Sequence, residues 1–491
     1  TLSSATPVVI NVGYGQPSKM FLDVSDVNIV VSDKGLILEG TKDFYVSFRV
    51  RSENHSETLI SKGKPGIGTS FRLGCMINES IDYRKSFVSS VMATENNTTI
   101  TLSDYNPGVV FVSGMGDFSL PSQTFSLNKG ESIVFSGYSD NPTNIDGIIG
   151  ALISSNKPVA VNTGNALGGI ENNRADFALD QIVSASQIGK EYIFIEGNGL
   201  TSMELPLLVA NEDGTEIYIN GNATPETILN AGEYYLVDNS YYQGTANKNI
   251  YVRSSKNIYA YQLIGGGNDT ATAGLNFIPP LSCFFQNSVN IPQVNRIGNT
   301  IYTADLMVLT YSSATLTVNG NTIPPSQAQN VLGNTDWVTY RVSNISGNAN
   351  VTSTGPLAVG VFGYKGNASG YAGYYSGFGS TPQDTELTVC TNATINLFDN
   401  IDGNPEIGGT WSVPPGGTPL NGNIFDPAIN LVGDYIYSFT KDCNSAPTPI
   451  SVKVTVSTQQ VGNPGTSNII TICANSLPIN LFTLLGTNAE V

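Results

Sequence analysis

Ionisable chemistry is scarce in this 491-residue chain. Charged residues make up 12% of it, roughly half the usual share, and there is one histidine, His55. Acid–base hydrolysis usually recruits a group that titrates near neutrality, most often histidine. His55 lies in the polar run Ser52-Glu-Asn-His-Ser-Glu57, where a solvated surface role is the expectation. The chain also lacks a G-x-S-x-G elbow, an H-E-x-x-H pair, a P-loop and a dinucleotide fingerprint after a strand. Gly265-Gly-Gly267 follows a strand but opens no helix, and reads as a flexible loop. Two carboxylates can act as acid and base on a sugar. With 39 Asp and Glu some pairs meet by chance, and sequence selects none of them. No enzyme is expected; a polysaccharide-active enzyme is the least favoured reading.

Other absences narrow the partners. No apolar run approaches the length that crosses a bilayer, so direct membrane insertion is not expected. Lys and Arg number 22 against 39 acids, a net charge of −17 that repels nucleic acid and anionic membrane surfaces. None of the five cysteines has C-x-x-C metal spacing. No cofactor is called for.

What the chain has is turns and short β patterns. It contains 51 Gly and 25 Pro, and 40% hydrophobic residues, enough for several cores. Its polarity comes from Asn, Ser, Thr and Gly, the profile of an exported all-β protein. Gly150-Ala-Leu-Ile-Ser-Ser-Asn-Lys-Pro-Val-Ala-Val-Asn-Thr-Gly164 recurs, loosely rewritten, at Asn249 to Leu263 and at Asn350 to Tyr364. Lys157, Lys256 and Gly355 stand 99 residues apart in both steps. A looser fourth copy sits at Gly35 to Val50. A second strand repeats too: Thr215 to Asn222 and Thr315 to Asn321 both close on Asn-Gly, a dipeptide suited to a type I′ hairpin. So long a period fits a whole β-sandwich module rather than a propeller blade or a solenoid turn.

The expected organisation is an irregular leading β unit at 1–95, β repeats at 96–195, 196–290 and 291–380, an Ig-like module at 381–458, and the start of a second at 459–491. Each repeat ends in a Gly-rich or Asn-rich excursion, at Gly164 to Asp176, Gly265 to Gly274 and Gly363 to Gly379. Equivalent places in the repeats imply that the excursions gather on one side, where binding loops are commonly carried. The chain begins without Met and stops within what reads as a repeat, so a longer exported protein is the expectation.

Three sets of residues are candidate sites. Asp140-Asn-Pro-Thr-Asn-Ile-Asp-Gly147 puts the oxygen donors Asp140, Asn144 and Asp146 on one loop, as calcium would require. Asn-Pro and Asp-Gly are equally ordinary turn chemistry, and a structural turn is favoured. Tyr364, Tyr371, Tyr374, Tyr375 and Phe378, spaced by glycines, offer faces for sugar rings or another protein, or else seal a junction between modules. Cys390 and Cys443 bracket the Ig-like module at a spacing where a disulfide would clamp two strands. Cys75 and Cys283 either pair or are two buried thiols. Trp411 is expected as the module's core aromatic.

Two regions resemble known families. Cys390-Thr-Asn, Ile395-Asn-Leu-Phe398, Gly408-Gly-Thr-Trp-Ser412, Phe425-Asp-Pro427 and Gly433-Asp-Tyr435 resemble the tandem repeats of very large surface adhesins from gliding Bacteroidota. That resemblance implies export by the type IX secretion machinery, anchoring at the outer cell surface, and grip on a surface polysaccharide or other external ligand. The first 380 residues resemble the IgGFc-binding-protein N-terminal domain family. The segment Ile149 to Val161, with its Ser-Asn-Lys-Pro-Val-Ala-Val, carries this, as does Asp180 to Phe194. Copies two and three depart from it, with Asn257 in place of the proline and Pro280-Leu-Ser-Cys283 in place of the later stretch. The resemblance implies the fold; it assigns no immunoglobulin contact to any residue.

Overall fold

The computed structural model describes residues 7–459 apart from 42–43, 53–54, 79–80, 172–173, 200–203, 246, 267–270, 366–368 and 444–445. Among the described residues the elements are β-strands and short 3-10 turns, and no helix is long and apolar enough to cross a membrane. The all-β expectation holds. The chain divides into two compact units, Thr1–Ser380 and Thr381–Val491.

The first unit is built on long strands that change partners halfway. Leu152–Glu171 pairs near its start with Ile67–Arg72 and Thr98–Ser103, and near its end with Ser86–Ala93 and Arg174–Gln181. Gln123–Leu127 and Ser132–Tyr138 complete a seven-stranded sheet. Asn249–Gly266 repeats the arrangement with Gly189–Ile195, Thr215–Ile219, Pro206–Ala210 and Ala271–Phe277, edged by Thr227–Leu229 and Tyr234–Leu236. The strand order is the same in both sheets, as duplication of one unit requires. Asn220, of the first Asn-Gly turn, takes a positive φ of 50° that Asn tolerates well.

The third copy splits in two. Its counterpart of the long strand is broken between Ala349–Ser353, in a four-stranded sheet, and Leu357–Lys365, in a five-stranded one. The aligned side chains differ at the break. Lys157 Nζ donates to the Asn96 carbonyl at 2.7 Å and Lys256 Nζ to the Asp213 carbonyl at 2.6 Å, tying strand to loop in the first two copies. Gly355 stands in that place in the third copy and has no side chain to do so. The first sheet also draws Ile67–Arg72 and Ser86–Ala93 from before residue 96. A sequence period fixes spacing but not where a module begins.

The second unit carries a four-stranded sheet in the order Thr385–Cys390, Ala446–Gln459, Gly433–Cys443, Thr410–Ser412. Strict alternation along Gly433–Cys443 turns Tyr435, Tyr437 and Phe439 inward, as a sheet with one covered face demands. Trp411 is only half-buried: its ring lies 5.0 Å from that of Tyr437 and its Nε1 donates to Asn423 Oδ1 at 3.0 Å. The core aromatics are instead Tyr435, Tyr437 and Phe425.

The expected Cys390–Cys443 disulfide is not formed, because Cys390 is an exposed free thiol. Register gives the reason. Cys390 lies opposite Gln459 and Cys443 opposite Ala446, at the two ends of one strand. At about 3.3 Å per residue those ends are some 40 Å apart, whereas a disulfide spans a Cα separation of about 4.4–6.8 Å. Cys75 is a buried free thiol, so it does not pair with Cys283. Cys473 and nearly all of the expected second Ig-like module fall outside the described residues.

Candidate functional site

Four hairpins organise the interior of the first unit: Ser47–Ser52 with His55–Ile60, Leu152–Glu171 with Arg174–Gln181, Asn249–Gly266 with Ala271–Phe277, and Leu357–Lys365 with Ser369–Tyr374. Their second strands pack side by side in a ring, in the order His55–Ile60, Arg174–Gln181, Ala271–Phe277, Ser369–Tyr374. Each has a backbone ladder to its own hairpin partner. Between hairpins, carboxylates make the connections. Asp176 accepts from Ser56 N at 2.9 Å and Gly370 N at 3.1 Å, so it spans three hairpins. Glu57 accepts from Leu179 N at 3.2 Å and Ala372 N at 3.3 Å. Asp180 accepts from Phe277 N at 3.0 Å and from Lys62 Nζ at 2.8 Å.

These bonds fix direction. Ser56, Asp176 and Gly370 are level with one another; Gly274 then lies against Glu57 and Ala372, and further on Ile60 and Phe277 meet at Asp180. All four strands therefore run the same way, and the hairpin ends that flank 53–54, 172–173, 267–270 and 366–368 share one end of the bundle. This is the gathering that the excursions implied.

Burial sets the electrostatics. Glu57 is buried, and its carboxyl is pushed well above the usual carboxylate range, with repulsion from Asp176 adding to the loss of solvent. Burial likewise raises Asp176 to about 6, against hydrogen bonds that pull it down. His55 Nδ1 lies 3.3 Å from Asp176 Oδ1 with its side chain 39% exposed, so the histidine is anchored to the bundle rather than freely solvated. Glu204 is an analogue in the second copy, raised by burial to about 8 while it accepts from Gly197, Gly199 and Gly265 N–H groups. Each of these carboxyls is engaged by backbone donors, the arrangement of a structural acceptor.

The sequence candidates fall elsewhere. Asn144 is buried, and its side chain is spent on Val110 N, Val110 O and Tyr138 O. Asp140 is exposed, and Asp146 accepts from Tyr234 Oη at 2.7 Å. The three do not converge, and no cluster of metal-ligating His, Cys, Asp or Glu occurs among the described residues. The loop is the turn its Asn-Pro chemistry favoured. Nor do the five aromatics form an open platform. Tyr371, Tyr374 and Tyr375 are buried, and Tyr364 and Phe378 half-buried. Tyr371 Oη donates to the Val294 carbonyl, Tyr375 Oη accepts from Arg49, and Phe378 stacks on Phe277 at 5.8 Å. They seal the interior of the first unit because Ser369–Tyr374 is a ring strand, not a loop.

A cleft of about 640 Å³ opens instead where the first and second copies meet. Ile149, Leu229 and Pro107 give it apolar walls; Asp104, Asp146 and Glu233 give it acceptors. Its floor is a close approach of Gly150 and Gly232: a Cβ added to Gly150 would stand 1.7 Å from the Gly232 carbonyl oxygen. Arg72 braces it, donating to Asp104 Oδ2 at 2.8 Å and to the Gly150 carbonyl at 2.9 Å. Asp146 is the one sequence candidate that reaches this cleft. Asp104, with a φ of 59°, and Glu233 went unnoticed because the cleft that brings them together is lined from stretches more than 100 residues apart.

The chain belongs to the IgGFc binding protein family, whose model matches residues 56–363, from the second strand of the first hairpin to the first strand of the fourth. That is a family of binding domains, not of enzymes. No curated protein matches the chain. Among solved structures, a crystal structure of the tetra-tandem repeat in the extending region of a large adhesion protein aligns at 11% identity. It covers 74% of this chain and 91% of that one, with a TM-score of 0.10, too low to speak for a shared fold.

Proposed function

We propose that this chain is the outward-facing part of a large secreted cell-surface adhesin that attaches to surfaces during gliding, with the first unit making the contact. The observation that carries the reading is the cleft between the first and second copies, set on a scaffold whose hairpins are locked together from inside. A frame held together from inside limits the ordering cost of binding, and the cleft is open along the seam, so an extended ligand can lie in it. Its carboxylates keep lone pairs free beyond their bonds to Arg72, Tyr234 and Asn230, and these suit a donor-rich, uncharged ligand such as a neutral polysaccharide. Export by the type IX machinery of Bacteroidota and anchoring at the outer surface rest on the motifs of the second unit. Calcium has no part in this reading.

The test is binding of the full chain to neutral, amino and acidic surface polysaccharides, with and without chelator. Retention on neutral or amino polymers, unchanged by chelator and weakened at least tenfold by Glu233→Gln with a change of the cleft's lining amide, Asn106→Ala, is the expected result. Absence of retention on every polymer, or release of shortened sugars, would overturn it.

A further inference from the structure

Lys62 and Asp180 form the most enclosed ion pair among the described residues. Their side chains are 0% and 1% exposed, and Lys62 Nζ lies 3.0 and 2.8 Å from the two carboxyl oxygens. The Phe378 ring covers the amine, its centroid 4.7 Å from Nζ. Backbone N–H groups surround the carboxyl: Gln181 at 2.9 Å and Ile60 at 3.4 Å on Oδ1, and Phe277 at 3.0 Å on Oδ2. Desolvation rarely lets a buried ion pair repay its own cost. Here burial pushes the Lys62 ammonium down and the Asp180 carboxyl up, in each case against the attraction of the partner. Proton transfer from Lys62 to Asp180 then leaves a neutral amine beside a carboxylic acid.

From this geometry we infer that Lys62 and Asp180 condense to an intramolecular amide that bonds the segment after the first hairpin to the inner strand of the second. Two oxygens this near hold Nζ no farther than about 3.3 Å from the carboxyl carbon, within the reach of about 3–3.5 Å that a near-attack arrangement needs. Nζ attacks Cγ and a C–N bond forms. One C–O bond breaks, and the hydroxyl leaves with a proton from the amine as water. No oxidant, reductant or activating group is consumed. The Gln181 and Ile60 N–H groups lie on Oδ1, where the tetrahedral oxyanion develops while Oδ2 departs, which is the placement that lowers the barrier to acyl transfer. Phe378 keeps water from the amine side and so opposes the reverse hydrolysis. The product replaces a desolvated ion pair with a neutral amide and closes a covalent loop between positions 118 apart.

The experiment is the intact mass of the full chain, folded, then reduced and denatured. The expected mass is one water below that of the sequence, and proteolysis yields a branched peptide containing both Lys62 and Asp180. Lys62→Arg and Asp180→Ala restore the full sequence mass. Asp180→Asn is the sharper variant, since ammonia leaves in place of water and the final mass equals that of the condensed wild type. A wild-type chain at its full sequence mass, with Lys62 and Asp180 in separate linear peptides, overturns the inference whether or not any variant folds.

Discussion

In the first unit, inner strands of four hairpins meet through carboxylates that accept from a neighbour's N–H groups. In the main sheet of the second unit, each strand meets its neighbours through a backbone ladder, and its buried face is apolar and aromatic. The first arrangement joins strands that share no ladder, but it depends on a few buried side chains whose loss leaves several donors unsatisfied. The second spreads its cohesion over many equivalent bonds. A single substitution can therefore undo the first unit in a way that has no counterpart in the second sheet.

The largest expected effect follows from removing Glu57. Glu57→Ala strands the N–H groups of Thr58, Leu179 and Ala372, each at about 1–3 kcal/mol. Calorimetry of the full chain should show the first unit's transition lowered by roughly 4 kcal/mol while the second unit's stays put. Glu57→Gln, which keeps an acceptor, should recover much of the loss. A common shift of both transitions would erase the contrast.

Gly274 sharpens the same point. It holds a φ of +128°, and an added Cβ would stand 2.9 Å from Glu57 Oε2 and 3.2 Å from Ala372 N. Gly274→Ala should cost about 2–3 kcal/mol, through backbone strain and a displaced carboxyl, again in the first unit alone.

Acidity offers a third handle. Asp176 rises from an ordinary 3.8 to about 6, and Glu57 is raised as well. Between those values the folded state holds a proton that the unfolded chain has released, so stability falls as pH climbs through about 4 to 6. For Asp176 the span amounts to roughly 3 kcal/mol. Urea titrations should find the first unit more resistant at pH 5 than at pH 7.5, and Asp176→Asn should flatten that slope. The smallest effect belongs to Cys390→Ser. An exposed free thiol should be worth less than about 0.5 kcal/mol, and a larger loss of the second unit's stability would show that this sheet too leans on a single side chain.

How much of this was legible follows from the range of each interaction. Hairpins, Asn-Gly turns and the duplication of Lys157 as Lys256 were open to reading, since each is written within one stretch of chain. The level meeting of Glu57, Asp176 and Ala372 was not, because it joins positions far apart in sequence and depends on which hairpins become neighbours. One signal was present. Asp176 and Asp180 fall in one phase of an alternating strand with Ala178 between them, acids where an inward face should be apolar. The tyrosines from 371 to 375 were legible as a seal but not in their place: intervening glycines looked like loop, yet Gly363 and Gly373 are narrow places within the first unit against which Tyr371 and Ile60 pack. The disulfide failed on register, which spacing along the chain does not encode.

The opening and closing strands of the second unit's sheet, Thr385–Cys390 and Ala446–Gln459, lie next to each other and parallel, with Thr385 beside Val454 and Cys390 beside Gln459. Tension drawn from the start of one and the finish of the other slides them in opposite senses along their shared length. Every rung of that ladder is then strained together, so the module resists extension until the whole row gives way, a mechanical clamp written into strand direction alone.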